Sequence, residues 1–187
     1  MEIQSGIPAD IAAHLVDADE VWERNQNREA FASYVSADYD EVFKSLVELR
    51  KRANTFLEWG SGLGCVTIMA SRLGYESYGI EAAAELVDYS RGYAEQLAPG
   101  ATFEVGSFVP DDFEWNPGNG DEAVRTFIDL PDAYEKIGMD LADFDLVYAY
   151  PWPTEHELYQ NILQEFARPG TQYLFYDARE GILSGEV

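Results

Sequence analysis

The sequence predicts an α/β fold, with a doubly wound and mostly parallel β-sheet preceded by N-terminal helices. From Asn54 onwards, short apolar runs alternate with segments of helical periodicity, which is typical of βαβ units. Residues 1–53 show helical periodicity without such runs. With 187 residues, 47% of them apolar, the chain has the usual size of one domain. We expect a single compact unit, in which a helical segment (residues 1–53) packs on a core formed by residues 54–187.

The clearest N-terminal helix is predicted within "DYDEVFKSLVELRKR", residues 38–52. Val42, Leu46 and Leu49 recur at spacings of four and three, and Phe43 and Val47 widen the same face. An apolar face of this width predicts that the helix covers an edge or a face of the sheet.

The apolar runs of residues 54–187 predict five strands, with helices between most of them. The predicted strands are residues 55–59, 76–81, 102–108, 144–150 and 171–178. The predicted helices are residues 66–73, about 83–97 and 155–167, the last two ended by Pro-Gly pairs.

A long irregular connection, residues 110–143, separates the third and fourth predicted strands. It contains the turn cluster "NPGNG" at 116–120 and a short predicted helix within "DAYEKIG" at 132–138. Connections of this length in a compact domain are usually functional or are variable insertions.

The composition argues against several classes of partner. The net charge of -23 comes from 35 acidic and 12 basic residues, and would repel nucleic acid over most of the surface. The one dense basic cluster, Arg50, Lys51 and Arg52, lies where a helix dipole favours cations. No apolar run is long enough to span a bilayer. We therefore expect a soluble, cytoplasmic protein without nucleic-acid or membrane partners.

The number of cysteines excludes two kinds of site. The single cysteine, Cys65, excludes an internal disulfide and a zinc site built from several thiolates. We expect Cys65 to be a small core residue, and we predict no metal site.

Three alternating glycines follow the first predicted strand, in "EWGSGLG". Gly60, Gly62 and Gly64 allow a sharp turn and let a ligand approach the backbone. The following helix presents free N–H groups and the positive end of its dipole to the same place, which suits an anionic group. A tight βα turn that binds nothing is the alternative.

Two nucleotide-binding patterns fit this segment less well. The dinucleotide fingerprint G-x-G-x-x-G requires glycine where Cys65 stands, and the third glycine lies one residue earlier, at Gly64. The phosphate-binding pattern G-x-x-x-x-G-K-[ST] is absent.

The pattern acid-x-Gly-x-Gly-x-Gly, from Glu58 to Gly64, resembles the first motif of the class I S-adenosylmethionine-dependent methyltransferases. Glu81, seventeen residues after Gly64 and at the end of the second predicted strand, matches the second motif of that family. The resemblance covers about residues 54–178. A weaker similarity, in "ELVDYSRGYA" together with "GSGLGCVTIMASRLG", is to small protein-lysine methyltransferases.

This resemblance implies a Rossmann-like sheet of order 3-2-1-4-5, with a ligand at the carboxyl ends of the strands. The family's sheet usually continues with a sixth strand and an antiparallel seventh. Only nine residues, 179–187, follow the fifth predicted strand here. We therefore expect either a sheet that lacks strands 6 and 7 or an edge covered by the N-terminal helices or another chain.

The resemblance also implies contacts with the cofactor S-adenosyl-L-methionine. The glycine loop would hold the methionine part, with Glu58 near its ammonium group. Glu81 would accept hydrogen bonds from the ribose hydroxyls. Ser107 and Phe108 would lie beside the adenine, although the family often has an acid where Ser107 stands. The loop residues concerned are Gly60, Ser61, Gly62 and Gly64.

The loop after the fourth predicted strand, "YPWPTE" at 150–155, faces the transferred methyl group in this family. Amine-directed members often carry [D/N]-P-P-[Y/F] here, and this chain lacks the leading Asp or Asn. Tyr150 and Trp152 are candidates to hold a cationic amine through their ring faces, and Glu155 is a candidate acid–base group. The alternatives are a rigid turn with a buried indole and a glutamate that favours a helix N-terminus.

Three further residues have open roles. Tyr34 and Tyr39 are either a lid on the cofactor or packing residues. His156 is expected at the surface in the first turn of a helix, since its position gives it no partner.

The leading hypothesis is a methyltransferase that uses S-adenosyl-L-methionine and acts on a nitrogen of a protein or small molecule. The acidic surface favours a cationic acceptor. A methyltransferase-like binding module without catalysis and, more weakly, a nucleotide-dependent oxidoreductase are the alternatives. The sequence leaves the acceptor and the oligomeric state open.

Overall fold

The computed structural model describes residues 6–32, 34–114, 126 and 130–187. The helices are α1 (Ala9–Asn25), α2 (Tyr39–Leu49), α3 (Cys65–Arg72), α4 (Ala84–Leu97), α5 (Tyr134–Ile137) and α6 (His156–Phe166). The strands are β1 (Thr55–Trp59), β2 (Glu76–Glu81), β3 (Thr102–Val105), β4 (Leu146–Ala149), β5 (Gln172–Asp177) and β6 (Gly181–Glu186). Short 3₁₀ helices cover Glu29–Phe31 and Leu141–Asp143.

The six strands form one sheet of order β3-β2-β1-β4-β5-β6. Strands β1 to β5 are mutually parallel, as predicted, and β6 runs antiparallel to β5. From β1 the chain adds β2 and β3 on one side and then β4 and β5 on the other, so the strand order reverses between β1 and β4. Doubly wound sheets open a crevice for ligands at this place. The predicted order 3-2-1-4-5 is confirmed.

The C-terminal residues correct the expectation of a sheet that stops at its fifth strand. Residues 181–186 pair along the whole of β5. The return is possible because Asp177 Oδ1 accepts hydrogen bonds from the backbone N–H groups of Arg179 and Glu180, and Gly181 adopts φ +75°. A three-residue connection therefore suffices to add an antiparallel strand.

Both faces of the sheet are covered, which explains why its two central strands, β1 and β4, are buried almost throughout. Phe56 of β1 is fully buried in a cluster with Ile11 of α1 and Val42 and Leu46 of α2. Leu57, its neighbour, is fully buried on the opposite face in a second cluster, with α6. The N-terminal helices thus pack on one face and α6 on the other.

The third strand ends earlier than predicted, at Val105 instead of residue 108. Gly106 N–H still donates to the Glu81 carbonyl, but Ser107 then pairs with the segment around Asp132. This pairing draws residues 107 and 108 away from β2, and both line a cavity at the end of the sheet.

The long connection between β3 and β4 is described only in part. The short helix predicted within residues 132–138 is present as α5. The predicted turn at 116–120 lies outside the described residues. None of the described helices is long and apolar enough to cross a bilayer.

Candidate functional site

A cavity of about 950 Å³ opens at the carboxyl ends of the parallel strands. Its walls are the glycine loop after β1, the end of β2, the segment after β3, the loop after β4 and the turn after β5. The segment that precedes α2 closes it from the side. The predicted site residues that line it are Glu58, Gly60, Ser61, Gly62, Glu81, Ser107, Phe108, Tyr150 and Trp152. Gly64 and Glu155 are not among the lining residues.

The three loop glycines all have positive φ, at +69°, +53° and +79°, but each is required for a different reason. A Cβ on Gly60 would meet nothing within 4 Å, so its backbone is open to a ligand. A Cβ on Gly62 would lie 2.7 Å from the Tyr34 ring. A Cβ on Gly64 would lie 2.6 Å from Ser90 Cβ, so this glycine serves the packing of α3 against α4.

Ser61 carries a buried polar atom without a partner. Its side-chain Oγ is buried and makes no hydrogen bond with any described residue, although its backbone N–H donates to the Ile80 carbonyl at 2.9 Å. A buried hydroxyl normally finds a partner in a protein. Because Ser61 lines the cavity, its hydroxyl is a candidate ligand contact.

Glu81 joins the glycine loop to the end of β2. Its Oε2 accepts a hydrogen bond from Gly62 N–H at 2.9 Å, and its Oε1 accepts one from Ala83 N–H at 2.9 Å. Burial raises the pKa of this carboxyl. Each carboxylate oxygen can accept a further hydrogen bond, so the cavity wall retains acceptors at the position predicted for the ribose.

Glu58 is only 5% exposed and faces the same cavity. Its Oε2 accepts hydrogen bonds from Thr67 N–H at 2.8 Å and from Thr67 Oγ1–H at 2.5 Å. Burial raises the pKa of Glu58 to about 8, and the nearby carboxyl of Glu81 acts in the same direction. Thr67 lies in the first turn of α3, so Glu58 also satisfies one of that helix's free N–H groups.

An aromatic wall lies after β3. Phe108 stacks on Trp59, with ring centroids 4.8 Å apart and ring planes 13° apart. Tyr134 of α5 fixes both residues, since its hydroxyl donates to the Phe108 carbonyl at 2.8 Å and accepts from Trp59 Nε1 at 3.1 Å. The Oγ of Ser107 accepts a hydrogen bond from Val109 N–H at 3.0 Å. Sequence reasoning missed Tyr134, since nothing in the short pattern of α5 indicates a contact with β1.

Tyr150 and Trp152 line the opposite side of the cavity and are half-buried. The Tyr150 ring meets the Tyr176 ring edge to face, with centroids 4.9 Å apart. Asp177, at the end of β5, lines the same side, and its Oδ2 lies 3.3 Å from His156 Nε2. His156 therefore has a partner that its sequence position does not reveal. Asp177 was also missed, although its place at the end of a predicted strand could have suggested it.

Glu155 takes a different place from the one expected. It is 3% exposed, and its carboxylate accepts hydrogen bonds from the side chain of Thr126 at 2.6 Å and from Thr126 N–H at 3.2 Å. Its side chain makes no capping hydrogen bond to α6. Glu155 thus anchors Thr126, a residue of the long connection that does line the cavity. The acid–base role predicted for Glu155 does not enter the proposal below.

Tyr34 and Tyr39 form part of the side wall. Their hydroxyls lie 3.1 Å apart, and Tyr34 covers Gly62. They therefore combine packing with a position over the glycine loop. Cys65 is buried beside them, as expected of a core residue, and burial raises the pKa of its thiol to about 12. The thiol is therefore not a nucleophile at neutral pH.

Acidic residues outnumber basic residues around the cavity. Among the described lining residues, six are acidic and two are basic, and Arg28 is paired with Glu85 at 2.5 Å. The acidic residues are Glu29, Glu58, Glu81, Glu85, Asp177 and Glu180, and the basic residues are Arg28 and Arg179. No group of three or more His, Cys, Asp or Glu side chains in the described part of the chain could hold a metal ion.

Solved structures share this fold. An RNA methyltransferase from Salinibacter ruber in complex with S-adenosylhomocysteine is 23% identical, with a TM-score of 0.54, over 77% of this chain and 78% of that one. An O-methyltransferase from Bacillus cereus in complex with the same compound is 15% identical, with a TM-score of 0.57, over 92% and 68%. An O-methyltransferase from Streptomyces achromogenes in complex with S-adenosylmethionine is 16% identical, with a TM-score of 0.57, over 92% and 67%.

These likenesses confirm, for the fold, the resemblance that the two motifs predicted. No protein-family model matches the sequence, and no curated protein matches it. The fold of this chain is thus that of the class I S-adenosylmethionine-dependent methyltransferases.

Proposed function

We propose that this chain, which has the fold of the class I methyltransferases, transfers a methyl group from S-adenosyl-L-methionine to an acceptor bound in the same cavity. The observation that carries the proposal is the hydrogen bond from Gly62 N–H to Glu81. It joins the two sequence motifs of that family into one cavity wall, beside the point where the sheet reverses.

The lining residues fit this cofactor. Gly60 exposes its backbone to the cavity, and the Ser61 hydroxyl is buried without a partner among the described residues. These two residues would hold the methionine part, with Glu58 near its ammonium group. Glu81 would accept the ribose hydroxyls, and Phe108, already stacked on Trp59, would face the adenine.

When bound, the cofactor supplies an electrophilic methyl group on a positively charged sulfur. The chain's own contribution is alignment and exclusion of water. The glycine loop and Glu81 fix one reactant, and the rings of Tyr150 and Trp152 confine the other. In-line transfer breaks the bond from the methyl group to sulfur, with S-adenosylhomocysteine as the leaving group, and forms the new bond from a lone pair of the acceptor. A protonated amine must therefore first lose a proton to solvent.

For the acceptor we propose a cationic nitrogen compound, either an amine or a lysine side chain of a protein. The support is the charge of the chain, -23 overall, together with the excess of carboxylates around the cavity. Tyr150 and Trp152 offer ring faces for such a cation. The solved structures that share this fold include oxygen- and RNA-directed enzymes, so the choice of nitrogen rests on the charge and the aromatic lining of this chain alone. The same negative charge argues against RNA as the acceptor.

For the location of the protein we propose the cytoplasm, with which a chain that has a single cysteine is compatible.

The first test is calorimetric titration with S-adenosylhomocysteine. We expect micromolar binding by the wild type and at least about tenfold weaker binding by Glu81→Gln, since the amide cannot accept from two N–H groups and two hydroxyls alike. Glu76→Gln is the matched control, at the exposed opposite end of the same strand. Equal affinity in all three proteins would contradict this assignment of the site.

The second test asks whether the chain catalyses. S-adenosylmethionine would be supplied with a lysine-containing peptide, a polyamine, a catechol and an RNA oligonucleotide, and S-adenosylhomocysteine formation would be measured. We expect turnover with a cationic acceptor. Turnover only with the catechol or the RNA would overturn the nitrogen acceptor, and tight binding without turnover on any acceptor would favour the binding-module alternative.

A further inference from the structure

The least expected group in the cavity is the carboxyl of Glu58, because it is buried without a positive partner in the part of the chain that the structure describes. No Lys, Arg or His of the described chain forms an ion pair with it. The titratable groups that face it are Glu81 on β2, Cys65 on α3 and Tyr148 on β4, and burial raises the pKa of each. A carboxylate at this place would therefore be desolvated and surrounded by groups that carry no positive charge.

The two carboxyls of the site differ in their hydrogen bonds. Both oxygens of Glu81 accept a backbone N–H. In Glu58 only Oε2 accepts hydrogen bonds, both of them from Thr67, and Oε1 accepts none from any described residue. Backbone N–H donors favour the ionised form of a carboxyl. Protonation of Glu58 at Oε1 therefore costs less free energy than protonation of Glu81.

We propose that Glu58 holds a proton in the free protein and releases it to solvent when a cationic group of the cofactor enters the cavity. The inference rests on the proposed function, because the cation is the ammonium or sulfonium group of S-adenosylmethionine. Incoming positive charge stabilises the carboxylate, so binding and deprotonation are coupled. The raised pKa of Glu58, about 8, agrees with a protonated group in the free protein at neutral pH.

A purely structural role for Glu58 is the competing explanation. The carboxyl accepts from an N–H group in the first turn of α3 and so acts as a helix cap from a neighbouring strand. A cap would affect stability, but it would not make ligand binding release a proton. Proton release is therefore the readout that separates the two explanations.

The test is calorimetric titration at pH 7 in two buffers of unlike ionisation enthalpy, phosphate and imidazole. For S-adenosylhomocysteine, which keeps the ammonium group, the dependence of the observed enthalpy on the buffer should correspond to release of close to one proton. Affinity should also fall about tenfold between pH 7 and pH 6, because binding must then remove the proton at a higher proton activity.

Two controls localise the proton and the cation. Glu58→Gln keeps acceptor and shape but has no acidic proton, so its binding enthalpy should not depend on the buffer and its affinity should be flat between pH 6 and pH 7. Binding of 5′-methylthioadenosine, which lacks both cationic groups, should release no proton from the wild type. Undiminished proton release from the variant, or with this probe, would overturn the proposal.

The outcomes keep the two proposals apart. Binding of S-adenosylhomocysteine without proton release overturns the role of Glu58 and leaves the methyltransferase proposal standing. Absence of binding overturns both.

Discussion

The two sides of the cavity are built in different ways. On the β1 and β2 side, the wall consists of backbone in positive-φ conformations and of two glutamates, the buried Glu58 and the half-buried Glu81, that accept hydrogen bonds from nearby N–H groups. On the β4 and β5 side, it consists of half-buried aromatic and acidic side chains, including Tyr150, Trp152 and Asp177. The first wall thus consists largely of backbone and hydrogen bonds that also hold the fold together, whereas the second consists of side chains on the loops after β4 and β5. Changes to the first should alter stability, and changes to the second should alter mainly the binding of the acceptor.

The largest effect should come from Gly64→Ala. The new Cβ would stand 2.6 Å from Ser90 Cβ and 2.8 Å from the Phe103 ring, on a residue with φ +79°. We expect a loss of about 3 kcal/mol in the free energy of unfolding, measured with urea. Gly60→Ala should lose only about 1 kcal/mol, because it carries the same backbone strain without a clash.

Gly92→Ala supplies the control for both variants. It lies within α4, where an added Cβ meets nothing within 4 Å, so the change should stabilise the protein by about 0.5 kcal/mol. Equal losses for Gly64→Ala and Gly60→Ala would mean that the contact between α3 and α4 is looser than described.

The next effect should come from Tyr134→Phe, which removes the hydroxyl between Trp59 and Phe108. The buried indole N–H would lose its partner, at a cost of about 2 kcal/mol in unfolding free energy. Tyr78→Phe is the control, because its hydroxyl bonds to Glu76 at the surface and should change stability by less than about 0.5 kcal/mol. Similar losses in both variants would show that the aromatic wall does not depend on Tyr134.

A third effect concerns Glu58 and pH in the free protein. Its pKa is raised in the folded state, to about 8, so the stability associated with its protonated form is present at low pH and is lost as pH rises from about 5 to 8. Over that interval, Glu58→Gln should gain at least about 1.4 kcal/mol relative to the wild type, which corresponds to one pKa unit. Urea unfolding at several pH values measures the difference. A constant difference would mean that Glu58 is ionised throughout.

The smallest effect on stability should come from Tyr150→Leu, on the acceptor side. Loss of the edge-to-face contact with Tyr176 should cost no more than about 1 kcal/mol. Affinity for S-adenosylhomocysteine should not change, whereas the KM for the acceptor should rise. Phe108→Leu is the counterpart on the cofactor side, where affinity for S-adenosylhomocysteine should fall about fivefold. An equal fall for Tyr150→Leu would remove the distinction between the two walls.

Sequence reasoning succeeded where the chain's local pattern has one structural solution. Strands β1 and β2 have the predicted bounds, and the glycine loop has the positive φ values that its composition indicated. It failed where long-range partners decide. Glu155 follows the pattern of a helix start but bonds to Thr126, twenty-nine residues earlier in the chain. No local periodicity could have indicated that contact.

Local patterns in the sequence suffice to predict the parallel sheet and the loop that ends in Gly64, because apolar periodicity and glycine conformation act over a few residues. The strand order follows from the family resemblance. Tertiary structure alone decided which side chains share the cavity. It paired Asp177 with His156, placed Tyr134 between Trp59 and Phe108, and added β6 to the edge. It also placed Glu58 beside Glu81 with no basic partner among the described residues, since two strand ends meet only when the sheet forms. The chemistry of the site depends on such contacts between residues distant in the chain.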